Sequence, residues 1–171
     1  MRNEVATLPE PRPLLCLDDA VPTVARWCAR LGGPRVDPED AAQDVMATAT
    51  RRLDTLRNPA HLEPWLFGIT RRVLAAHRRR AWLRFWVATP SGLEPDPGAG
   101  PEEAAVTRQR ARQLQRWLEK LPQAQREVVV LCALEERTGP AVAELLDLPL
   151  GTVKSRLRLG MARLRSLAEG T

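Results

Sequence analysis

TGPAVAELLDLPLGTVKSRLR, residues 138–158, is the stretch whose reading decides the fold. Thr138 stands one turn ahead of Ala141, Val142, Leu145 and Leu146, so it predicts the cap of a short helix with one apolar face. Asp147 to Pro149 predict a tight turn, with Asp147 in place of a glycine because Asp enters the left-handed region more readily than most residues. Leu150 then opens a last helix to about Leu167. Val153 and Leu157 fall on its inner side, which leaves Thr152, Lys154, Ser155, Arg156 and Arg158 on the exposed N-terminal side. Two helices joined by a short turn, the second one basic, form helix-turn-helix grammar. In that arrangement basic side chains reach base edges, and N-terminal amides accept a phosphate. By composition alone, a short amphipathic helix with a solvated arginine face is the lesser, alternative reading of these letters.

Upstream, Leu121-Pro122 breaks the chain and places proline at the start of a helix over 122 to about 136. Glu102 to Lys120 carries helical spacing through Val106, Ala111, Leu114 and Leu118. Before it, VATPSGLEPDPGAGPEE (87–103) holds four Pro, three Gly and four acids, too many breakers for a helix or strand. It reads as an acidic, flexible linker. Residues 18–86 read as three helices. One is capped by Asp18 or Asp19, has Pro22 in its first turn, and stops at Gly32-Gly33-Pro34. A second starts at Asp37-Pro38-Glu39-Asp40 and buries Ala42, Val45, Met46, Ala49, Leu53 and Leu56. A third runs from Glu63-Pro64 to about Phe85 through Leu66, Ile69, Val73 and Ala76. No strand signal occurs. The expectation is an all-α chain of two small domains, 18–86 and 104–168, joined by 87–103.

Composition narrows the function. The chain has 171 residues, is 44% hydrophobic and 27% charged, and lacks any run of about 18 apolar residues. No membrane insertion and a cytoplasmic location are therefore expected. Three cysteines (16, 28 and 132) form no CxxC pair and read as buried structural residues, with oxidant sensing as the other reading. Two histidines and no Tyr leave few parts for a metal site or acid–base chemistry, and no phosphate-binding glycine loop or nucleophile elbow is present. No enzyme activity and no cofactor are expected. The net charge is +5, and 24 of the 26 basic residues are Arg. Residues 65–86 hold six Arg and no acid, and 150–168 hold five cations and no acid, so nucleic acid is expected at two places.

LPQAQREVVVL (121–131) followed by AELLDLPLGTVKSRL (143–157) resembles region 4 of the sigma-70 family of bacterial transcription initiation factors. DPEDAAQDV (37–45) and WLFGITRRVLAAHRRR (65–80) resemble region 2 of that family. Both, in this order with only a linker between them, resemble the extracytoplasmic-function (ECF) group. The resemblance implies a factor that binds core RNA polymerase, recognises the promoter −35 and −10 elements and assists melting. It assigns Asp37, Glu39, Asp40, Gln43 and Asp44 to the β′ clamp helices of polymerase, and region 4 to the β flap. It assigns Arg57, Asn58, His61, Arg71, Arg72, Arg78, Arg79 and Arg80 to the melted −10 element, with the loop Leu56 to Pro64 as the pocket for a flipped base. Trp65, Phe67, Trp82, Phe85 and Trp86 lie among these arginines, where aromatic planes suit unpaired bases, though Trp65 and Phe67 read first as core. It assigns Thr152, Lys154, Ser155, Arg156 and Arg158 to the −35 duplex, and implies an anti-sigma partner. The acidic linker would mimic nucleic acid in a polymerase channel.

The chain departs from the family pattern at Leu159-Gly160-Met161, where two phosphate-contacting cations are absent, and at Arg72, where Asn is usual. Gly160 is expected to cost its helix about 1 kcal/mol relative to Ala. Without the resemblance, a helix-turn-helix regulator that binds duplex DNA and dimerises through its N-terminal bundle is the rival reading.

Overall fold

A computed structural model describes residues 13–87 and 102–170, and side chains within 17–83 and 109–170. The described residues are all-helical: α1 (Pro13–Leu31), α2 (Pro38–Arg51), α3 (Leu62–Val87), α4 (Glu102–Glu119), α5 (Gln123–Val129), α6 (Gly139–Leu146) and α7 (Leu150–Glu169). Two 3-10 turns, Leu53–Thr55 and Pro59–His61, join α2 to α3, and a π-helical segment, Val130–Leu134, extends α5. Residues 88–101, most of the expected linker, lie outside the described residues. So do the side chains of Cys16, Arg84, Phe85 and Trp86.

α1, α2 and α3 pack on one another, and α7 packs on α4, α5 and α6. In the first half Leu17, Val24, Trp27, Cys28 and Leu31 of α1 meet Ala41, Val45 and Ala49 of α2 and Leu66, Phe67, Ile69 and Leu74 of α3, all buried. Trp27 and Phe67 meet edge to face, with ring centroids 4.9 Å apart. Each large side chain buried here contributes about 1.5–3 kcal/mol. In the second half Leu118, Leu121, Val128, Val129, Val130, Leu131, Val142, Leu145, Leu146 and Val153 are buried.

Three expectations change. α1 begins at Pro13, so Pro22 lies inside the helix rather than in its first turn. Pro22 is exposed, and Leu17 on one side with Val24 on the other holds both halves of the helix on the core, which outweighs the missing amide. α2 stops at Arg51, and Leu53 and Leu56 belong to the turn that follows. The buried face of α2 is Ala41, Val45 and Ala49, with Ala42 and Met46 at its margin. On α3 the core face holds Phe67, Thr70, Leu74 and His77 with Leu66 and Ile69, whereas Val73 and Ala76 are only half-buried.

Candidate nucleic-acid interface

The second half forms the expected helix-turn-helix. Thr138 Oγ1 accepts the Ala141 amide at 3.4 Å and caps α6. α6 ends on Asp147 at φ 52° and ψ 55°, the left-handed conformation that turns the chain toward α7. Val153 is buried and Leu157 half-buried. Lys154, Ser155 and Arg158 are exposed, and Thr152 and Arg156 are half-buried beside them, so the five −35 candidates lie within the first three turns of α7. Ser155 Oγ donates to the Thr152 carbonyl at 3.0 Å.

Gly160 is not a weak point of α7. It is buried against α5, where a Cβ would stand 2.6 Å from Val129 Cγ2 and 3.5 Å from Gln125 Cβ. The close approach of α5 and α7 requires a residue without a side chain. Helix propensity alone gives the opposite sign.

In the first half the −10 candidates are divided between different directions around α3. Arg71 and Arg78, seven residues apart, lie on the side that faces the second half; Arg72 and Arg79 lie about a quarter-turn away, and Arg80 further round. Arg71, Arg72, Arg79 and Arg80 are exposed, and Arg78 is half-buried. Arg71 Nε donates to Glu127 Oε1 at 3.1 Å, and Arg78 Nη1 donates to the Leu31 carbonyl at 3.0 Å. Burial holds the Arg78 guanidinium below its usual pKa, an effect opposed by Glu127. Before α3, Asn58 caps the 3-10 turn by accepting the Ala60 amide at 2.9 Å, while Arg57 and His61 are exposed. Of the aromatics, Phe67 is core, Trp65 is half-buried and donates from Nε1 to Thr55 Oγ1 at 3.2 Å, and Trp82 is 56% exposed.

The acidic candidates start α2. Asp37 Oδ1 accepts the amides of Glu39 at 2.9 Å and Asp40 at 3.2 Å, as an N-cap. Glu39, Asp40, Gln43 and Asp44 are exposed, although Asp44 Oδ2 lies 2.8 Å from Nε2 of the buried His77 and so ties α2 to α3. Among the described residues no group of His, Cys, Asp and Glu is placed to hold a metal ion, and no helix is long and apolar enough to cross a membrane.

The chain matches the Sigma-70 region 2 family over residues 17–84 and the Sigma-70 region 4 family over 111–164. It is 34% identical over 149 residues to the ECF RNA polymerase sigma factor RpoE of Cereibacter sphaeroides, covering 84% of this chain and 79% of that one. This chain belongs to the ECF sigma factor family. A second relative, the ECF sigma factor SigW of Bacillus subtilis, is 29% identical over 83% of this chain and 81% of its own. The fold also resembles two solved structures, the first of them a sigma factor. The first is RpoE of Bartonella quintana in complex with the anti-sigma factor NepR (TM-score 0.66, 20% identity, 91% of this chain and 96% of that one). The second is CnrH in complex with the cytosolic domain of CnrY (TM-score 0.66, 22% identity, 92% and 88%). This sigma factor is a transcription initiation factor that acts by binding RNA polymerase and promoter DNA, and is not an enzyme.

A seam between the sigma factor's regions 2 and 4 was not anticipated from sequence. Glu127 of α5 is almost fully buried and accepts from Arg71 and, at 2.8 Å, from Gln123 Nε2. Glu135, just after the π-helical segment, accepts from Arg30 and lies 3.5 Å from Arg26 Nε. Arg30 Nη1 also donates to the Leu134 carbonyl at 3.2 Å, and Arg137 forks onto both carboxylate oxygens of Glu63. Arg126 donates to the Glu119 and Leu121 carbonyls at 2.8 and 3.2 Å. Burial, and then the neighbouring Arg78, holds Arg126 below its usual pKa against the pull of Glu119 and Glu127. In the sequence these acids look like any solvated helix charge, because REVVVLCALEER carries no mark of what lies opposite.

Proposed function

We propose that the exposed start of α7 reads the −35 duplex, with Lys154, Ser155, Arg156 and Arg158 toward base edges and phosphates and Thr152 toward the backbone. The observation that carries this reading is the left-handed Asp147 turn, which leaves the cationic first turns of α7 facing outward while Val153 anchors them. Arg57, Asn58, His61, Arg71, Arg72, Arg78, Arg79 and Arg80 meet the melted −10 strand, cations on phosphates and the 56–64 loop around an extruded base. Capture of unpaired bases, together with polymerase contacts, supplies the free energy for opening, without nucleotide hydrolysis. The exposed face Glu39, Asp40, Gln43 and Asp44, with Asp37 at its head, meets the β′ clamp helices, and region 4 meets the β flap. A face of acids at a helix start suits basic partner side chains, each pair being individually weak. One of the two similar structures is a complex with an anti-sigma factor, which supports a partner of that kind for this chain.

Run-off transcription with core polymerase and sheared genomic DNA tests the reading. Discrete 5′ ends that require the protein, and that disappear with Lys154→Ala/Arg158→Ala, are the expected outcome. Tight duplex binding without polymerase, and no protein-dependent starts, overturns it.

A further inference from the structure

We infer that the cavity where the α1–α2 loop, α3 and region 4 meet is a binding site for a small phosphate monoester carrying a flat ring, of the nucleoside monophosphate class. The cavity measures about 330 Å³ and is lined by residues 32–36 of the loop, by Arg78, Ala81 and Trp82 of α3, and by Glu119 and Arg126. That size lies at the lower end of small-molecule sites, which favour junctions between packed units. Arg35, Arg78 and Arg126 stand in its wall against one glutamate, Glu119, an excess of two positive charges. A phosphate monoester carries about −1.5 to −2 at neutral pH and matches that excess.

Arg126 points to an anion most directly. It is 8% exposed, and its Nη2 is given to the Glu119 and Leu121 carbonyls. Among the described residues its Nε and Nη1 find no acceptor, and a guanidinium buried with donors unmet is stabilised by an oxyanion. Nη1 stands beside the cavity wall, where a Cβ on Gly33 would lie 3.9 Å from it. Gly33 is left-handed at φ 92°, so the loop passes the guanidinium without a side chain. Arg78 is near enough to repel Arg126, and burial holds both below their usual pKa. An anion between two such cations relieves the repulsion. Glu119 does not supply it: its Oε1 accepts from Gln115 Nε2 at 3.3 Å, and among the described residues its carboxylate pairs with neither Arg78 nor Arg126.

The ring is implied by Trp82, which is 56% exposed and gives the same cavity a flat aromatic surface of the kind on which a base stacks. Arg78 is also among the proposed −10 contacts, and a DNA strand offers the same phosphate and ring chemistry. The cavity favours the free compound. A monoester has three oxygens with which to bridge Arg78 and Arg126. A phosphate inside a strand has two, and needs room for the chain to leave on both sides, which a guanidinium as buried as Arg126 does not give.

The test uses the full chain without polymerase. Calorimetric titration with AMP reads the site, and adenosine and inorganic phosphate read its two halves. Fluorescence anisotropy of a short labelled single-stranded oligonucleotide reads strand binding. Two variants are compared with wild type: Arg126→Gln, which removes the buried cation, and Ala81→Leu. The second fills the cavity, alters no charge, and decides the matter should the first not fold. The expected result is one AMP per chain, bound roughly tenfold or more tightly than adenosine or inorganic phosphate, and weakened roughly tenfold or more in both variants. The oligonucleotide should bind Ala81→Leu as it binds wild type. No AMP binding, or AMP binding that a folded Ala81→Leu protein retains, overturns the site. Inorganic phosphate bound as tightly as AMP overturns the nucleotide class. Oligonucleotide binding that falls together with AMP binding in Ala81→Leu overturns the free ligand, because AMP would then stand in for a nucleotide of the strand.

Discussion

Replacing Gly160 with Ala tests how closely α5 and α7 approach. The added Cβ would lie 2.6 Å from Val129 Cγ2, whereas carbon atoms in contact ordinarily sit about 3.5–4.0 Å apart. Val129 is 1% exposed and its β-branched side chain has few alternative rotamers, so relief requires the helices to separate by about 1 Å. Overpacking of this kind costs about 1–3 kcal/mol, while the gain in helix propensity returns about 1 kcal/mol. The expected outcome is a net loss of up to about 2 kcal/mol, or a melting temperature lower by a few degrees at about 2–4 °C per kcal/mol. Gly68 is the internal control. It lies within α3 with nothing within 4 Å of its missing Cβ, so Gly68→Ala should stabilise by up to about 1 kcal/mol. Urea unfolding followed by far-ultraviolet circular dichroism measures both. Adding Val129→Ala to Gly160→Ala should cost less than the sum of the single changes, because the clash is shared. A Gly160→Ala protein at least as stable as wild type, beside a stabilised Gly68→Ala protein, would refute the steric account and restore the propensity reading. Since α7 carries the proposed −35 face, the same substitution should weaken duplex recognition more than Gly68→Ala does.

Three further outcomes are expected. Asp147→Gly should stabilise the chain by up to about 1 kcal/mol in the same urea assay, because glycine adopts the left-handed conformation at φ 52° without a Cβ penalty. Burial pushes the Cys28 thiol up to about 12 from 9.0, so the folded chain keeps a proton that the unfolded chain has lost at alkaline pH. Its contribution to stability is complete below the unfolded value and is lost as pH rises toward about 12; urea midpoints should fall above about pH 9, and less steeply in Cys28→Ala. In its native state Cys28 should also resist iodoacetamide, and rapid labelling would show that it is not buried. Lys154→Ala and Arg158→Ala should each reduce the salt slope of holoenzyme binding to −35 duplex by about one where the side chain holds a phosphate, read by titrating salt in a filter-binding assay.

Local chemistry made the architecture legible. The Thr138 cap, the Asp147 turn and the apolar positions of α7 act within a few residues of one another, so letters alone carry them. What the letters hid depends on partners remote in sequence. Val73 and Leu74 are adjacent on α3, and periodicity favours the first; the structure buries the second, because the exact facing of a helix is set by α1 and α2. Gly160 looks like a propensity fault until Val129, thirty-one residues earlier, is placed against it. Proline at 22 reads as a start signal until Leu17 is seen buried one turn ahead of it. The charged seam is the extreme case, since Arg71 and Glu127 are separated by 56 residues and by the linker.

That separation bears on how a site list is drawn from sequence. A basic helix in a DNA-binding family is read as a set of equivalent phosphate contacts, and α3 offers five arginines from Arg71 to Arg80. Helical geometry makes them inequivalent. Arg72, Arg79 and Arg80 are exposed like Arg71 but do not share its bond to Glu127, and their loss should act on the proposed DNA contacts without loosening the seam. Arg71 also holds Glu127 of region 4, and Arg78 the carboxyl end of α1, so truncating Arg71 removes a proposed DNA contact together with a tie between the regions, whereas truncating Arg78 loosens region 2 itself. Arg71→Ala should therefore lower the urea midpoint by more than Arg72→Ala, because it takes a cation from the nearly buried Glu127. A scan that measured DNA affinity without stability would assign the wrong weight to the arginine at the seam.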